Sequence, residues 1–561
     1  MKKLIRSIAV FLTVAIMLVS CASNKDITGT TVNNLRILNN TIQDTDIVVN
    51  IKEGRNPAPY ADKIKTTGAL NEDGSLDLYI VHTNDVHGRM DSKDGGLGYP
   101  TLSAFLQILR QKANGNVLTL EAGDVTHGTN LANFFYGENV VNLLGYMGYD
   151  AVTLGNHEFN YGLKQLNTNL IIEIARDAVP VSNNIKLGGK RILPPYRIFD
   201  FSGYRVAVIG LTTPSTSTQA NPKYVEGLDF ETNLVYELEQ TVNEVRNKAD
   251  YVIVLGHIGF DPVGKDNITS ATLCRDVKGI DLFVDGHSHT RLTSPYYDGS
   301  STTPIVQTGE YLNAVGVEKI HISADKKVET FDYYLVTKEE FEDPATSSFL
   351  SSLGILSKIE DQAVTDYIAS KKATLEEVYK KEVANLPVKY DGARAIVRAE
   401  QCDLGNMVTT ALATAVEADF GILNGGSFRA DLGPGVVTVG DINNTLPFNN
   451  YVVLSSISGA GIYEALENGY KSYPDLAGGF PQTNLIVTAD TSLEPGSRII
   501  SVALPDGTEI AKDDTEYKVA TNDFMVAGGD GYTQFGQIIR YERQVNEVVI
   551  DYLKENYPLN N

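Results

Sequence analysis

The stretch LDLYIVHTNDVHG (76–88) decides how the chain reads. Leu78–Val81 is a short apolar run of the kind a buried strand uses, and Asp85, His87 and Gly88 follow it almost at once. The same order of events recurs downstream. Apolar runs at 117–120, 151–154, 205–210, 251–255 and 281–284 are rich in Val, Ile and Leu. Longer segments with helical spacing, such as GENVVNLLGYMG (137–148), separate them. Strands that are apolar throughout, alternating with helices, predict an α/β domain with a largely buried central sheet.

Five of these runs are followed by side chains that ligate metals. Asp85 and His87 follow the first and Asp124 the second, in EAGDVTHG. Asn156 and His157 follow the third, in GNHEFNYG (155–162). His257 follows the run at 251–255, and His287 and His289 follow the last, in DGHSH. Loops at the C-terminal ends of strands converge on one crevice in open α/β sheets, so these groups can meet. Five of the eight histidines lie in these motifs and none lies beyond His321, which is not how packing residues scatter. His82 is read as structural and His321 as lying on a surface or edge strand. His127, beside Asp124, is read as structural, with phosphate contact as the alternative. Imidazoles with carboxylate oxygens and no thiolate suit Zn, Mn, Co or Fe(II). Asp85, His87, Asp124, Asn156, His257, His287 and His289 are too many ligands for one ion and fit two ions sharing a carboxylate. Such a pair clamps a phosphoryl group, which points to phosphoester hydrolysis.

DVH (85–87), GD (123–124), GNHE (155–158), GH (256–257) and GHSH (286–289) together resemble the ordered motifs of the calcineurin-like metallophosphoesterases. With the downstream block, the chain from 76 to 560 resembles the bacterial 5′-nucleotidase family, which includes UDP-sugar hydrolases and 2′,3′-cyclic-nucleotide phosphodiesterase/3′-nucleotidases. The resemblance implies an N-terminal sandwich of two mixed sheets flanked by helices over 76–330. A helical linker over 331–390 and a C-terminal α/β substrate-binding domain over 391–561 would follow. It also implies one ion on Asp85, His87, Asp124 and His289, and a second on Asp124, Asn156, His257 and His287, with Asp124 bridging. His157 would be the catalytic group at the phosphate. Many relatives read GNHEFD, where the Asp orients that histidine. Here Asn160 stands in its place, and its carbonyl is expected to accept a hydrogen bond from the ring. GNHEFNYG itself is similar to the cyclic-phosphodiesterase branch, whereas HTNDVHG is similar to the 5′-nucleotidase branch.

Residues 331–390 carry helical spacing, many charges and no candidate site residue. From 391 a second α/β unit is expected: ARAIVRAE as a strand, LGNMVTTALATAVEA as a helix, and DFGILNGGSFRADL (419–432) as a strand running into a Gly-rich loop. With TLPFNN (445–450) and TNDFMVAGGDGY (521–532), this resembles the substrate domain of the family. The resemblance implies that Phe448 and Phe524 sandwich the base, Asp530 holds the ribose, and Asn424 and Arg429 contact substrate. Aromatic stacking tolerates any base. Asp403 lies where relatives often place an arginine, and an acid there would repel phosphate.

The remaining features set the context. At 561 residues the chain is too long for one ordinary core. Its net charge of −23, from 47 basic and 70 acidic residues, excludes a surface for extended nucleic acid. It leaves room for a small nucleotide, because bound cations reverse the local field. Lys2, Lys3 and Arg6 precede the apolar stretch IAVFLTVAIMLV (8–19), which ends in LVSC. Residues 1–21 therefore resemble a bacterial lipoprotein signal with Cys21 as the lipidated residue, and 22–75 is read as a polar tether. The expected protein is an extracytoplasmic, lipid-anchored hydrolase of nucleoside 5′-monophosphates. Cyclic phosphodiesterase/3′-nucleotidase or UDP-sugar hydrolase activity is the alternative, and a non-catalytic nucleotide-binding surface lipoprotein is the rival of another class. Oligomeric state is not legible.

Overall fold

The computed structural model describes residues 65–561 apart from 176, 221–223, 262–267, 300, 449 and 560–561. Cys21, the signal and most of the tether lie outside the described residues. The chain divides into two compact units, one ending at Lys372 and the other beginning at Ala373.

The first unit is an α/β sandwich of two six-stranded mixed sheets. One sheet runs Val328–Thr337, Ala314–Ile322, Leu76–Thr83, Val117–Glu121, Ala151–Thr153, Val179–Val181. The other runs Lys65–Thr67, Tyr196–Phe201, Tyr204–Thr212, Tyr251–His257, Leu282–Val284, Ile305–Val306. Leu78, Ile80, Leu118 and Leu120 from the first sheet pack against Phe199, Val208, Ile253 and Leu282 from the second. On the outer face of the second sheet, Ile209, Val252 and Val254 meet Leu234, Leu238, Val242 and Val245 of the helix Leu234–Val245. Both faces of the inner strands are therefore covered, and every residue of Tyr251–His257 is buried, which is why these strands are apolar runs rather than alternating ones. Helix Tyr99–Lys112 forms because Tyr99, Leu102, Phe105, Leu106 and Leu109 recur at helical spacing and are buried, with Pro near its start and Arg110 and Lys112 in its last turn.

The strands bearing the motifs run parallel: 76–83 with 117–121, 117–121 with 151–153, and 251–257 with 282–284. Their C-terminal ends therefore share one edge of the sandwich, and His257 Nδ1 donates to Ala122 O of the opposite sheet at 2.8 Å.

Two boundaries differ from the sequence reading. The tether over 22–75 ends earlier, because Lys65–Thr67 pairs with Phe199–Phe201 and Ala69 exchanges hydrogen bonds with the Asn116 side chain. The helical stretch over 331–390 opens on a strand and closes on one. Val328–Thr337 pairs with Ala314–Ile322, and Glu382–Leu386 pairs with Gly435–Thr438, around the helix Gln362–Tyr379.

The second unit has a five-stranded sheet in the order Pro481–Thr483, Phe420–Asn424, Glu516–Asn522, Tyr451–Ser458, Ile538–Gln544. Helices Asp403–Val416 and Val545–Asn556 share one core with it and Gly459–Tyr470 another. ARAIVRAE is a short helix, Arg394–Val397, rather than a strand: only Val397 of that helix is buried, so nothing there needs an extended ladder.

Candidate metal centre and nucleotide pocket

Five of the seven candidate ligands sit in left-handed backbone: Asp85 (φ 51°), His87 (49°), Asp124 (54°), His287 (78°) and His289 (56°). Each such residue costs on the order of 1 kcal/mol or more, so the surrounding structure must impose the conformation. It does so by lacing the loops together. Asp85 N donates to Gly123 O (3.0 Å), His87 N to Asp124 O (3.0 Å) and Gly88 N to Val125 O (2.9 Å). His287 N donates to Asp85 Oδ2 (2.9 Å), as does Asn84 Nδ2 (2.7 Å). Asp285 Oδ1 collects the amides of Ile258, Gly259 and Gly286 at 2.9–3.2 Å, binding the His257 loop to the His287 loop. A Cβ on Gly286 would meet Asp85 Oδ2 and His257 Nδ1 at 3.0 Å, so only glycine lets these loops close.

The ligand side chains gather in two groups, Asp85 with His87 and His289, and Asp124 with His257 and His287, with ligand atoms in each within 4.8 Å of one another. His289 Nε2 lies 3.3 Å from Asp85 Oδ1 and His257 Nε2 lies 3.2 Å from Asp124 Oδ2. Asp124 Oδ2 is also 4.0 Å from His87 Nε2, so one oxygen faces both groups. Asn156 is buried beside them.

The donor set fits divalent cations. His87, His257 and His289 each commit Nδ1 to an oxygen: His127 O, Ala122 O and Glu310 Oε2 respectively. Their Nε2 atoms therefore point inward, those of His87 and His289 facing each other at 3.2 Å and that of His257 facing Asp124 Oδ2, and offer lone pairs to a metal once the rings are neutral. Asp85 Oδ1 and Asn156 Oδ1 are buried without a hydrogen-bond partner among the described residues. Converging lone pairs and orphaned buried oxygens need a cation between them.

The electrostatics follow from burial and charge. Burial opposes ionisation of Asp124, yet His257, His157 and His87 hold its carboxyl well below the usual range. Burial also opposes charge on His257, but Asp124 and Asp85 lift its imidazolium to about 10. Burial pushes His87 down to about 4 against the pull of Asp124.

His157 stands at the rim, half-buried, with its ring 5.1 Å from that of His87 and its amide donating to Asp124 Oδ1 at 2.8 Å. Asn160 faces it, as expected, but through the other end of its amide. Nδ2 donates to His157 Nδ1 at 2.8 Å, which leaves the ring proton on Nε2. His127 stacks flat on His157, centroids 5.2 Å apart and planes 1° from parallel. It is a ring against the histidine, and its Nε2 is buried without a hydrogen-bond partner among the described residues. His82 is fully buried against Glu318 (3.1 Å). His321 is partly exposed and pairs with Asp77 at 2.7 Å; its strand, Ala314–Ile322, is the second of its sheet and not an edge.

In the second unit, a cavity of about 550 Å³ is lined by Asn424, Arg429, Phe448, Phe524 and Asp530, all five of the residues singled out there. Phe448 and Phe524 are each 43% exposed, which rules out a core role. The Arg429 guanidinium lies 5.0 Å over the Phe448 ring. Asn424 Nδ2 donates to Asp530 Oδ2 (2.8 Å), fixing an aspartate whose φ is +53°. Arg398, Asn450, Gly426, Ser427 and Gly478 complete the wall, and Arg398 and Asn450 were not singled out from the sequence. Asp403, by contrast, is the first residue of helix Asp403–Val416 and is exposed, so it complements a helix N-terminus and lines no part of this cavity. Arg398, in ARAIVRAE, brings a second guanidinium to the wall beside that of Arg429. Asn84, Asp285 and Glu310 were also missed, because their work is hydrogen bonding to residues distant in sequence.

Comparison with known proteins agrees with this anatomy. The calcineurin-like phosphoesterase profile matches residues 78–291, and the 5′-nucleotidase C-terminal domain profile matches 382–537. The trifunctional nucleotide phosphoesterase protein YfkN of Bacillus subtilis (strain 168) is 32% identical over 83% of this chain, which spans 33% of that longer protein. A snake venom 5′-nucleotidase of Naja atra is 30% identical over 82% of this chain and 92% of its own length. The crystal structure of a 5′-nucleotidase precursor from Thermus thermophilus superposes with a TM-score of 0.52 at 27% identity, covering 86% of this chain and 97% of that one. The chain belongs to the 5′-nucleotidase family of metal-dependent phosphoester hydrolases.

Proposed function

We propose that the protein hydrolyses nucleoside 5′-monophosphates to nucleoside and phosphate, using two divalent ions, outside the cytoplasm on a lipid anchor at Cys21. The observation that carries the two-ion reading is the position of Asp124 Oδ2, within 3.2 Å of His257 and 4.0 Å of His87. Asp85, His87, Asp124 and His289 would hold one ion, and Asp124, Asn156, His257 and His287 the other. Two such ions supply Lewis-acid stabilisation of phosphoryl oxygens and acidify water. Asp124 is kept ionised by its histidine neighbours and is ready to serve both. His157, with its proton on Nε2, would donate to a phosphoryl or leaving-group oxygen. Asn160 would hold that tautomer, and the parallel His127 ring would hold the plane. Phe448 and Phe524 would sandwich the base, Asp530 would take the ribose hydroxyls, and Asn424, Arg429 and Arg398 would bind the rest. The relatives named above as nucleotide phosphoesterase and 5′-nucleotidase support this substrate class. The anchor rests on residues 1–21 alone.

A second reading, cyclic-phosphodiesterase/3′-nucleotidase activity, rests on GNHEFNYG, with Asn160 in it, being similar to that branch of the family. Chromatographic analysis of the products from AMP, 3′-AMP, 2′,3′-cyclic AMP and a UDP-sugar, with Mn, Co or Zn, decides between them, because opening a cyclic phosphate or splitting a UDP-sugar releases a phosphomonoester rather than free phosphate. Turnover of AMP that His157→Ala abolishes supports the proposal. No turnover of any substrate refutes it, and preference for the cyclic or 3′ ester moves the assignment to the second reading.

A further inference from the structure

We propose that Glu158 is a positioning residue that fastens the loop carrying Asp124 to the loop carrying Asn156 and His157, and so sets how the two ligand groups meet. The proposal rests on the two-ion reading above.

Glu158 lies in the single helical turn His157–Phe159 and is 3% exposed. Its carboxylate takes five donors. Oε2 accepts from Asp124 N (2.8 Å) and Gly155 N (2.8 Å). Oε1 accepts from Val125 N (2.8 Å), Thr126 N (3.1 Å) and Thr126 Oγ1 (3.1 Å). Three consecutive amides of one loop and one amide of the other thus close on a single side chain. A carboxylate offers about four lone-pair sites, so these oxygens are saturated and Glu158 is not itself a metal ligand.

The spacing is exacting, because the two loops touch backbone to backbone. A Cβ on Gly123 would meet Gly155 N at 2.6 Å, and one on Gly155 would meet Asp124 Oδ1 at 2.2 Å. The amide of a neighbouring residue in the motif, His157 N, then donates to Asp124 Oδ1 at 2.8 Å. A closed ring results: Glu158 holds Asp124 N, and Asp124 holds His157 N. It keeps Asp124 in its left-handed backbone and leaves Oδ2 free to face both histidine groups. Charge-assisted bonds of this kind are roughly twice as strong as neutral ones. Glutamine cannot replace the carboxylate. One of its two ends is an NH2 donor, so either the Asp124 and Gly155 amides or the Val125 and Thr126 amides would face another donor.

The test uses the full chain as wild type, Glu158→Gln and Glu158→Asp. Mn2+ binding to chelator-stripped protein and adenosine binding in EDTA are measured by calorimetry, with AMP hydrolysis measured alongside. For Glu158→Gln we expect adenosine binding as in wild type, because the pocket is in the other unit. Mn2+ affinity should fall at least tenfold, and kcat should fall on the order of 100-fold with KM changed far less. Mn2+ affinity and kcat within about threefold of wild type would overturn the proposal. Should Glu158→Gln fail to bind adenosine, Glu158→Asp decides: a lowered kcat at wild-type adenosine affinity supports the brace, and an unchanged kcat refutes it. A wild type that binds Mn2+ but releases no phosphate from AMP would sink the hydrolase reading alone, because the Mn2+ comparison would still test Glu158.

Discussion

Gly155→Ala is the smallest change that should disable the centre. Gly155 has no need of unusual backbone; what it needs is space. The added methyl would stand 2.2 Å from Asp124 Oδ1 and 2.6 Å from Asp124 N. Carbon atoms rest about 3.5 Å from their neighbours, so Asp124 must retreat by roughly 1 Å. Asp124 N is held by Glu158 and cannot move without breaking that bond. Overpacking of this kind costs about 1–3 kcal/mol of stability. A misplacement of about 1 Å in a catalytic group costs on the order of 100-fold in rate. The expected result is therefore a modest fall in thermal midpoint and a large fall in kcat for AMP. Steady-state hydrolysis and a thermal scan on the same preparation measure both. A variant with the wild-type kcat would refute the argument that Asp124 has no room to move. A lowered midpoint with an intact kcat would show that the loop bears on stability alone.

Other perturbations test other parts. Asp124 and Asp85 push His257 up to about 10 against the cost of burial and Asp85 raises His289, whereas burial pushes His87 down to about 4. Ligation requires a neutral ring, so metal uptake at about pH 7.5 should release protons and weaken as pH falls; calorimetry in buffers of different ionisation enthalpy measures this, and a buffer-independent heat would contradict it. Glu318→Ala leaves a fully buried His82 without its hydrogen-bond partner and should cost about 1–3 kcal/mol in urea unfolding, while His82→Leu combined with Glu318→Leu should cost much less. Equal losses in the two would count against a paired role. Phe448→Ala and Phe524→Ala should each raise KM for AMP by the equivalent of about 1–3 kcal/mol with little change in stability, since both rings are exposed; an unchanged KM would remove that ring from the base site.

Much of this is legible in the sequence, for physical reasons. Val, Ile and Leu runs mark the strands because both faces of each sheet are covered. The histidines and aspartates mark the centre because parallel strands put their following loops on one edge. The Gly-rich loops at 425–426 and 528–531 point to the pocket in the same way. What escapes notice works through backbone contacts that no local pattern records. Asp285 acts on amides from a loop 26–27 residues earlier, and Asn84 acts on Thr308 and Gly309. Arg398 is hidden in a segment that reads as a strand, since four residues of mixed Arg, Ala, Ile and Val carry no period of their own. Val328–Thr337 is extended because of its partner strand rather than its own pattern, so the part of it beyond 330 reads as linker. The Asn160 carbonyl is the end expected to face the histidine, whereas the amide nitrogen lies 2.8 Å from His157 Nδ1.

The claim on which the rest depends is that Asp124 joins two metal ions. Anomalous diffraction at the manganese edge from crystals grown with Mn2+ measures it directly. Two peaks are predicted, both within coordination distance of an Asp124 oxygen, one beside Asp85, His87 and His289 and the other beside Asn156, His257 and His287. A single peak, or two peaks that do not share Asp124, would contradict it.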